Sequence, residues 1–308
     1  MDTFKIGHFT DLKRGTGCTV ILCPEETRAS AYARGVSPGT REFALLSPFR
    51  KVEQINALFL TGGSAFGLDA AGGVMRYLSE RNIGYHTVLR PIPIVPAAVI
   101  YDLPVLDVNA FPTNDDAYQA CRSASSFPTP QGNIGAGTAA TIGKWAGVES
   151  MIKGGLGYAQ LNFEHIEISA ISVVNAVGDI LDQKGKILAG AFRKNRFIAE
   201  ENPLYRWQPR NPGFGENTVL IALIFNCHLS KLELHYLSER AHNGIVRSVK
   251  PAHTRYDGDV IFSMSHGTES ADLDLLTELA VEATQQSIIN AVKEAEELGG
   301  IIALKNIL

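Results

Sequence analysis

Two periodicities of apolar residues run along this 308-residue chain and divide it into strands and helices. From Ile55 to Leu60 a short apolar run reads as a buried strand that breaks at Thr61-Gly62-Gly63-Ser64. The spacing then changes: Leu68, Ala71, Met75 and Leu78 recur three and four residues apart, predicting a helix, with Gly84 as a stop signal just beyond. IEISAISVVNAV, Ile166 to Val177, is β-branched and nearly continuous, as a strand covered on both faces would be. Thr218 opens a second strongly apolar strand through Cys227. Ser230-Lys231-Leu232-Glu233 is a capping-box pattern, and Leu234, Leu237 and Ala241 continue it as one helical face. After Asp257-Gly258-Asp259, the alternation Val260, Phe262, Met264 predicts a half-buried strand. A final helix is expected from about Asp272 to Leu298, with Val281, Ile288, Val292 and Ala295 on one stripe. Strands mixed with helices that can cover them favour a layered α/β sandwich over a bundle or an all-β fold.

Punctuation between these elements is uneven. In PIPIVPAAVIYDL, Pro91 to Leu103, three prolines precede Ala97 too closely for a central strand, so an edge or loop feeding a short strand is expected. Glycines crowd GNIGAG, IGK and KGGLG between Gly132 and Gly157, where backbone must pass close to something else; a functional wall is expected there. The stretch Glu201 to Asn217, with Pro203, Pro209, Pro212, Gly213 and Gly215, reads as an exposed loop or linker without regular structure. The chain passes abruptly from that loop to core at Thr218.

Composition narrows the partners. Hydrophobic residues make up 45% of the chain, enough for a large core, and a net charge of -4 argues against a nucleic-acid or anionic-membrane partner. A small molecule or peptide substrate is expected instead. No apolar leader or eighteen-residue apolar run is visible, so a cytoplasmic location is the default. Cys18, Cys23, Cys121 and Cys227 have neither C-x-x-C spacing nor the density of a disulfide scaffold.

Several familiar motifs are approached and missed. Gly62-Gly63-Ser64-Ala65-Phe66-Gly67 has its closing glycine one position too late for a nucleophile elbow, and it fits neither a dinucleotide fingerprint nor a P-loop. Ser150-Met151-Ile152-Lys153 matches S-x-x-K but lacks its partner motifs. No histidine cluster with metal-ligand spacing appears; His242, His253 and His266 read as polar core or surface residues, and neither a metal nor an organic cofactor is expected. The Asn217-Thr218 junction is more suggestive. Were that bond cut, Thr218 would own both a hydroxyl and an α-amine of pKa about 7.7 to 8.0, nucleophile and base in one residue. A threonine there also serves simply to start a strand.

LTGGSAFGLDAAGGVMRYL, GNIGAGTAATIGK, KGGLG, VVNAVGD, ENTVLIAL and PAHTRYDGDVIF follow one another in an order that resembles the self-processing L-aminopeptidase/D-esterase family. That family includes β-peptidyl aminopeptidases and the endo-type nylon-oligomer hydrolase, and the likeness spans Val20 to Leu298. It implies a four-layer αββα sandwich of the N-terminal nucleophile hydrolase type, one catalytic domain over residues 1–308, cut between Asn217 and Thr218 into chains 1–217 and 218–308. Thr218 would be the nucleophile. Asn175 matches the family's amide donor to the oxyanion, although an Asn can also merely cap a strand; Lys144 matches a lysine of the nylon-hydrolase site, although it can equally be solvated. Asp257 and Asp259 fall on one side if the strand already begins at Asp257, with room left by Gly258, and would then hold the Thr218 amine and the Lys144 ammonium; a D-G-D triplet is otherwise a turn. Glu216-Asn217-Thr218-Val219 replaces the Gly-Asn-Thr-Thr of the nylon-hydrolase branch, so a second hydroxyl is missing. The expected activity is hydrolysis of small peptides, aminoacyl amides or esters, or oligoamides by a tetramer of processed units. An acyltransferase resembling ornithine acetyltransferase, which also cleaves itself before a threonine, and a non-processed binding protein are the alternatives.

Overall fold

Successive side chains of the strand Thr218–Cys227 enter two separate cores: Leu220, Ala222 and Ile224 one, Val219, Ile221, Leu223 and Phe225 the other. This division organises the whole chain. The computed structural model describes residues 3–207 and 217–307, and ten of its strands form two five-stranded sheets. One sheet contains β1 (Lys5–Asp11), β2 (Thr16–Leu22), β4 (Thr40–Arg41), β5 (Ala57–Thr61) and β6 (Ala97–Val99), in the order β1-β2-β5-β6-β4. The other contains β3 (Arg28–Ala33), β7 (Gly155–Phe163), β8 (Ile166–Asn175), β9 (Thr218–Cys227) and β10 (Val260–Glu269), in the order β3-β10-β9-β8-β7.

Three layers of apolar contact hold four layers of structure. Helices α1 (Ala71–Ser79) and α2 (Asn114–Arg122) cover the first sheet through Val74, Leu78 and Ala117 against Val20 and Phe59. Between the sheets, Ile21, Leu58 and Leu60 meet Ile171, Val173, Leu220 and Phe262. Helices α3 (Lys231–Ser248) and α4 (Leu273–Glu294) close the far side, with Leu234, Leu237, Ile245 and Leu276 on Ile168, Ile221 and Leu223. Each such large side chain, fully buried, contributes about 1.5–3 kcal/mol. The result is the αββα sandwich that the resemblance implied.

Several local expectations need correction. β10 is buried on both faces from Val260 to Ser265, because its apparently polar positions face helix α3, where the Ser238 hydroxyl donates to Ser263 Oγ (2.8 Å). It begins at Val260, and Asp257 makes only an isolated parallel bridge with Asn217. As expected, the three prolines stay in a loop that feeds a short strand, β6, which lies parallel to β5 and is flanked by the two-residue β4. The first helix is interrupted, with one turn at Ser64–Gly67 and a tighter one at Leu68–Ala70 before α1. Helix α4 stops at Glu294, since Leu298 turns back to pair with Ile301. In the proposed linker, Pro203–Trp207 forms a 3-10 turn, compatible with proline at a helical start. Pro209, Pro212, Gly213, Gly215 and Glu216 lie outside the described residues. Among the described residues no helix is long and apolar enough to cross a membrane.

Candidate active site

Antiparallel pairing of β8 with β9 sets Asn175 directly opposite Thr218, at the end of one strand and the start of the other. Both residues are buried, Asn175 completely. Asn217 sits on the last backbone bridge before the strand, donating its N–H to Tyr256 O (3.0 Å). Its carbonyl is gripped from two sides: Gly258 N–H donates to it at 2.7 Å and the Thr218 hydroxyl at 2.6 Å. The hydroxyl therefore lies beside the carbonyl that precedes it in the chain, and that carbonyl is polarised by a backbone donor. A Cβ on residue 258 would stand 2.6 Å from Ser37 O and 3.0 Å from Thr218 Oγ1, so glycine is needed for this close approach.

The orientation of the Asn175 amide is fixed by its partners. Its Oδ1 accepts from Thr141 N–H (3.0 Å) and from Lys144 Nζ (2.8 Å), two groups that can only donate, so the Nδ2 end must be the one facing Tyr101 O (3.0 Å). One of its two amide hydrogens is used there. Lys144 also donates to the Asn175 carbonyl (3.0 Å). Part of Lys144 reaches solvent, yet its ammonium is desolvated, and this burial lowers its pKa to about 7; Asp257 and then Asp102 act to raise it, and Lys153 to lower it.

The two aspartates do different jobs. Asp259 accepts the Val219 N–H on Oδ1 (2.7 Å) and lies 2.7 Å from His253 Nδ1 through Oδ2. Asp257 accepts the Thr254 N–H (2.5 Å) and is the first carboxylate acting on Lys144. Since β10 starts only at Val260, the two are not paired on one strand face, and Asp259 is tied to the backbone of β9 rather than to the lysine.

A cavity of about 290 Å³ opens onto this group, with Ser37, Gly39, Ser64, Val99, Tyr101 and Thr218 in its walls. Gly62-Gly63-Ser64 is the tight strand-to-helix turn, and Ser64 holds a left-handed φ of 53° that is uncommon for serine. The glycine-rich stretch lies behind it, supplying Thr141 and Lys144. Of two larger clefts, one beside Cys23 includes none of these groups, and the other reaches only His253 and Thr254 among them. Ser150 and Lys153 form no dyad: Ser150 Oγ accepts from Arg193, whereas the Lys153 ammonium donates to Thr138 O and Ala140 O. Among the described residues no group of three His, Cys, Asp or Glu side chains could hold a metal ion.

Sequence reasoning missed four residues here: Ser64 and Tyr101 in the cavity wall, Asp102 behind it, and His253 as the partner of Asp259. Asp102 offered one signal, a carboxylate immediately after an apolar run.

Comparison with known proteins follows the same outline. A model of peptidase family S58 matches residues 2–304. An uncharacterized aminopeptidase of Mycobacterium leprae (strain TN) is 33% identical, the match covering 96% of this chain and 90% of that protein. A 6-aminohexanoate-oligomer endohydrolase of Kocuria sp. (strain KY2) is 29% identical, covering 90% and 81%. Among solved structures, the L-aminopeptidase D-Ala-esterase/amidase of Ochrobactrum anthropi, described as a variant of the Ntn hydrolase fold, superposes with a TM-score of 0.74 at 20% identity. That superposition covers 97% of this chain and 86% of that one.

Proposed function

Because the chain belongs to peptidase family S58 and is thus a hydrolase acting on amide bonds, we propose that Thr218 is its nucleophile, made competent by cleavage of the Asn217-Thr218 bond. The observation that carries this reading is the position of the Thr218 hydroxyl, 2.6 Å from the Asn217 carbonyl oxygen, which Gly258 N–H also engages. Attack by Oγ1 on that carbonyl breaks the C–N bond and forms an ester, the nitrogen leaving as the Thr218 α-amine; water then hydrolyses the ester. Chains of 217 and 91 residues result.

In turnover the freed amine, directly or through a water, takes the hydroxyl proton as Oγ1 attacks a substrate amide. Asn175 contributes its remaining amide hydrogen to the oxyanion. Lys144, bonded to the oxygen of the same amide, polarises it and strengthens it as a donor, and its positive charge favours the unprotonated form of the amine. Asp259 fixes the Val219 N–H and with it the backbone of the new terminus. Small peptides, aminoacyl amides and oligoamides are the substrate classes, and assembly of processed units into a tetramer belongs to the same proposal.

Intact mass and N-terminal sequencing test it. The wild-type protein should give two chains, the second beginning with Thr218, while Thr218→Ala should remain one 308-residue chain with no hydrolysis of aminoacyl p-nitroanilides. Cleavage of that variant at the same bond would sink the assignment. Acyl transfer to an added amine exceeding transfer to water would replace the hydrolase by an acyltransferase.

A further inference from the structure

Two lysine ammonium groups lie behind the Thr218 cavity, and their hydrogen bonds end on neutral oxygens. Lys144 donates to the Asn175 carbonyl and side-chain oxygens, Lys153 to the carbonyls of Thr138 and Ala140. Lys153 is wholly buried. Neutral acceptors alone do not hold two protons in so dry a place; an anion must stand nearby.

Asp102 meets that requirement. Only 2% of it is exposed, and Oδ1 accepts the Gly63 N–H at 2.6 Å. Oδ2 is buried with no hydrogen-bond partner among the described residues, and a side chain at Gly62 would collide with it. Lys153 and then Lys144 are the cations acting on this carboxyl, and Asp257 is the other anion acting on Lys144. Asp259 is engaged by Val219 and His253. The geometry points to Asp102 as a positioning residue with two tasks: one oxygen pins the turn that carries Ser64 into the cavity, and its charge keeps Lys144 protonated against Asn175.

This role rests on the proposed parts played by Lys144 and Thr218. Burial raises the Asp102 carboxyl to about 6, with the Gly63 N–H and the two lysines opposing, so it remains ionised at neutral pH. The signs of its influence are fixed. Removing the Asp102 charge lowers the pKa of Lys144, and a carboxylate kept at that position leaves it in place.

The test compares wild type, Asp102→Asn and Asp102→Glu after intact mass has shown each to be processed, reading kcat/KM for an aminoacyl p-nitroanilide against pH. Asp102→Asn keeps an acceptor for Gly63 and should move the alkaline limb down by about one pH unit, whereas Asp102→Glu keeps the charge and should leave the limb close to that of the wild type. Stability loss with the limb of Asp102→Asn undisplaced, or equal displacement in both variants, overturns the proposal. If Asp102→Asn does not fold, Asp102→Ser, smaller and neutral, decides: a limb that stays is fatal. A wild-type chain that is never cut refutes the nucleophile instead. The counter-ion is then read by NMR titration of 13C-labelled lysines, where Asp102→Asn must still lower the Lys144 midpoint.

Discussion

Strand β9 begins among charges and ends among hydrocarbons. Around Thr218 stand Lys144, Asp257, Asp259 and, one step further, Asp102 and Lys153, nearly all withdrawn from water. Five and seven residues on, Leu223 and Phe225 touch the apolar faces of α3 and α4. The second region gains stability from every group it buries; the first loses some, since a desolvated ion is offset only in part by its partners. One strand can be both because the apolar body around β8, β9 and β10 holds the backbone in register whatever the charged end costs.

Substitutions at the two ends should accordingly separate. Phe225→Ala should cost about 3–5 kcal/mol in urea unfolding, yet leave the folded fraction cut at Asn217-Thr218; loss of cleavage in folded protein would break the distinction. Asn175→Ala should do the reverse, lowering kcat by about 10²–10³, equivalent to about 2.7–4 kcal/mol, with a smaller change in the urea midpoint than Phe225→Ala. Two histidines titrate as well, His8 on β1 and His242 on α3. Burial lowers His8 and His242 to about 4. A folded pKa below the unfolded one means stability that is full above about 6.5 and lost as pH falls toward 4, roughly 2–3 kcal/mol for each histidine. Urea midpoints at pH 7 and pH 4.5 measure this, and His242→Gln should flatten the difference. Smallest is the cap of α3: Ser230 accepts the Glu233 N–H, and Ser230→Ala should lower stability by about 1 kcal/mol without touching kcat.

Legibility in the sequence followed the same boundary. β5, β8, β9 and the start of α3 were readable because doubly covered strands and a capping box leave local signatures. β10 misled, because Ser263 and Ser265 look solvent-facing until a helix is laid over them. Thr218, Asn175, Lys144, Asp257 and Asp259 were picked out through family resemblance, and their contacts were not readable from spacing. Asp102, which follows an apolar run, and Lys153, which ends an S-x-x-K match, could not be linked to each other or to Thr218 from the sequence, since their proximity arises only when the turn after β5, the end of β6 and the glycine-rich stretch converge.

Residues 218–307 supply two of the three inner strands, β9 and β10, of one sheet and both helices of an outer layer, while β3, β7 and β8 of that sheet come from residues 3–207. If the bond before Thr218 is cut as proposed, the core between the sheets and the core beneath α3 and α4 are each shared by both fragments, and the pair stays together only as long as those cores stay folded. Folding is then a one-time unimolecular event for the precursor. Denatured mature enzyme would have to recover by a second-order encounter of two chains, with a yield that depends on concentration.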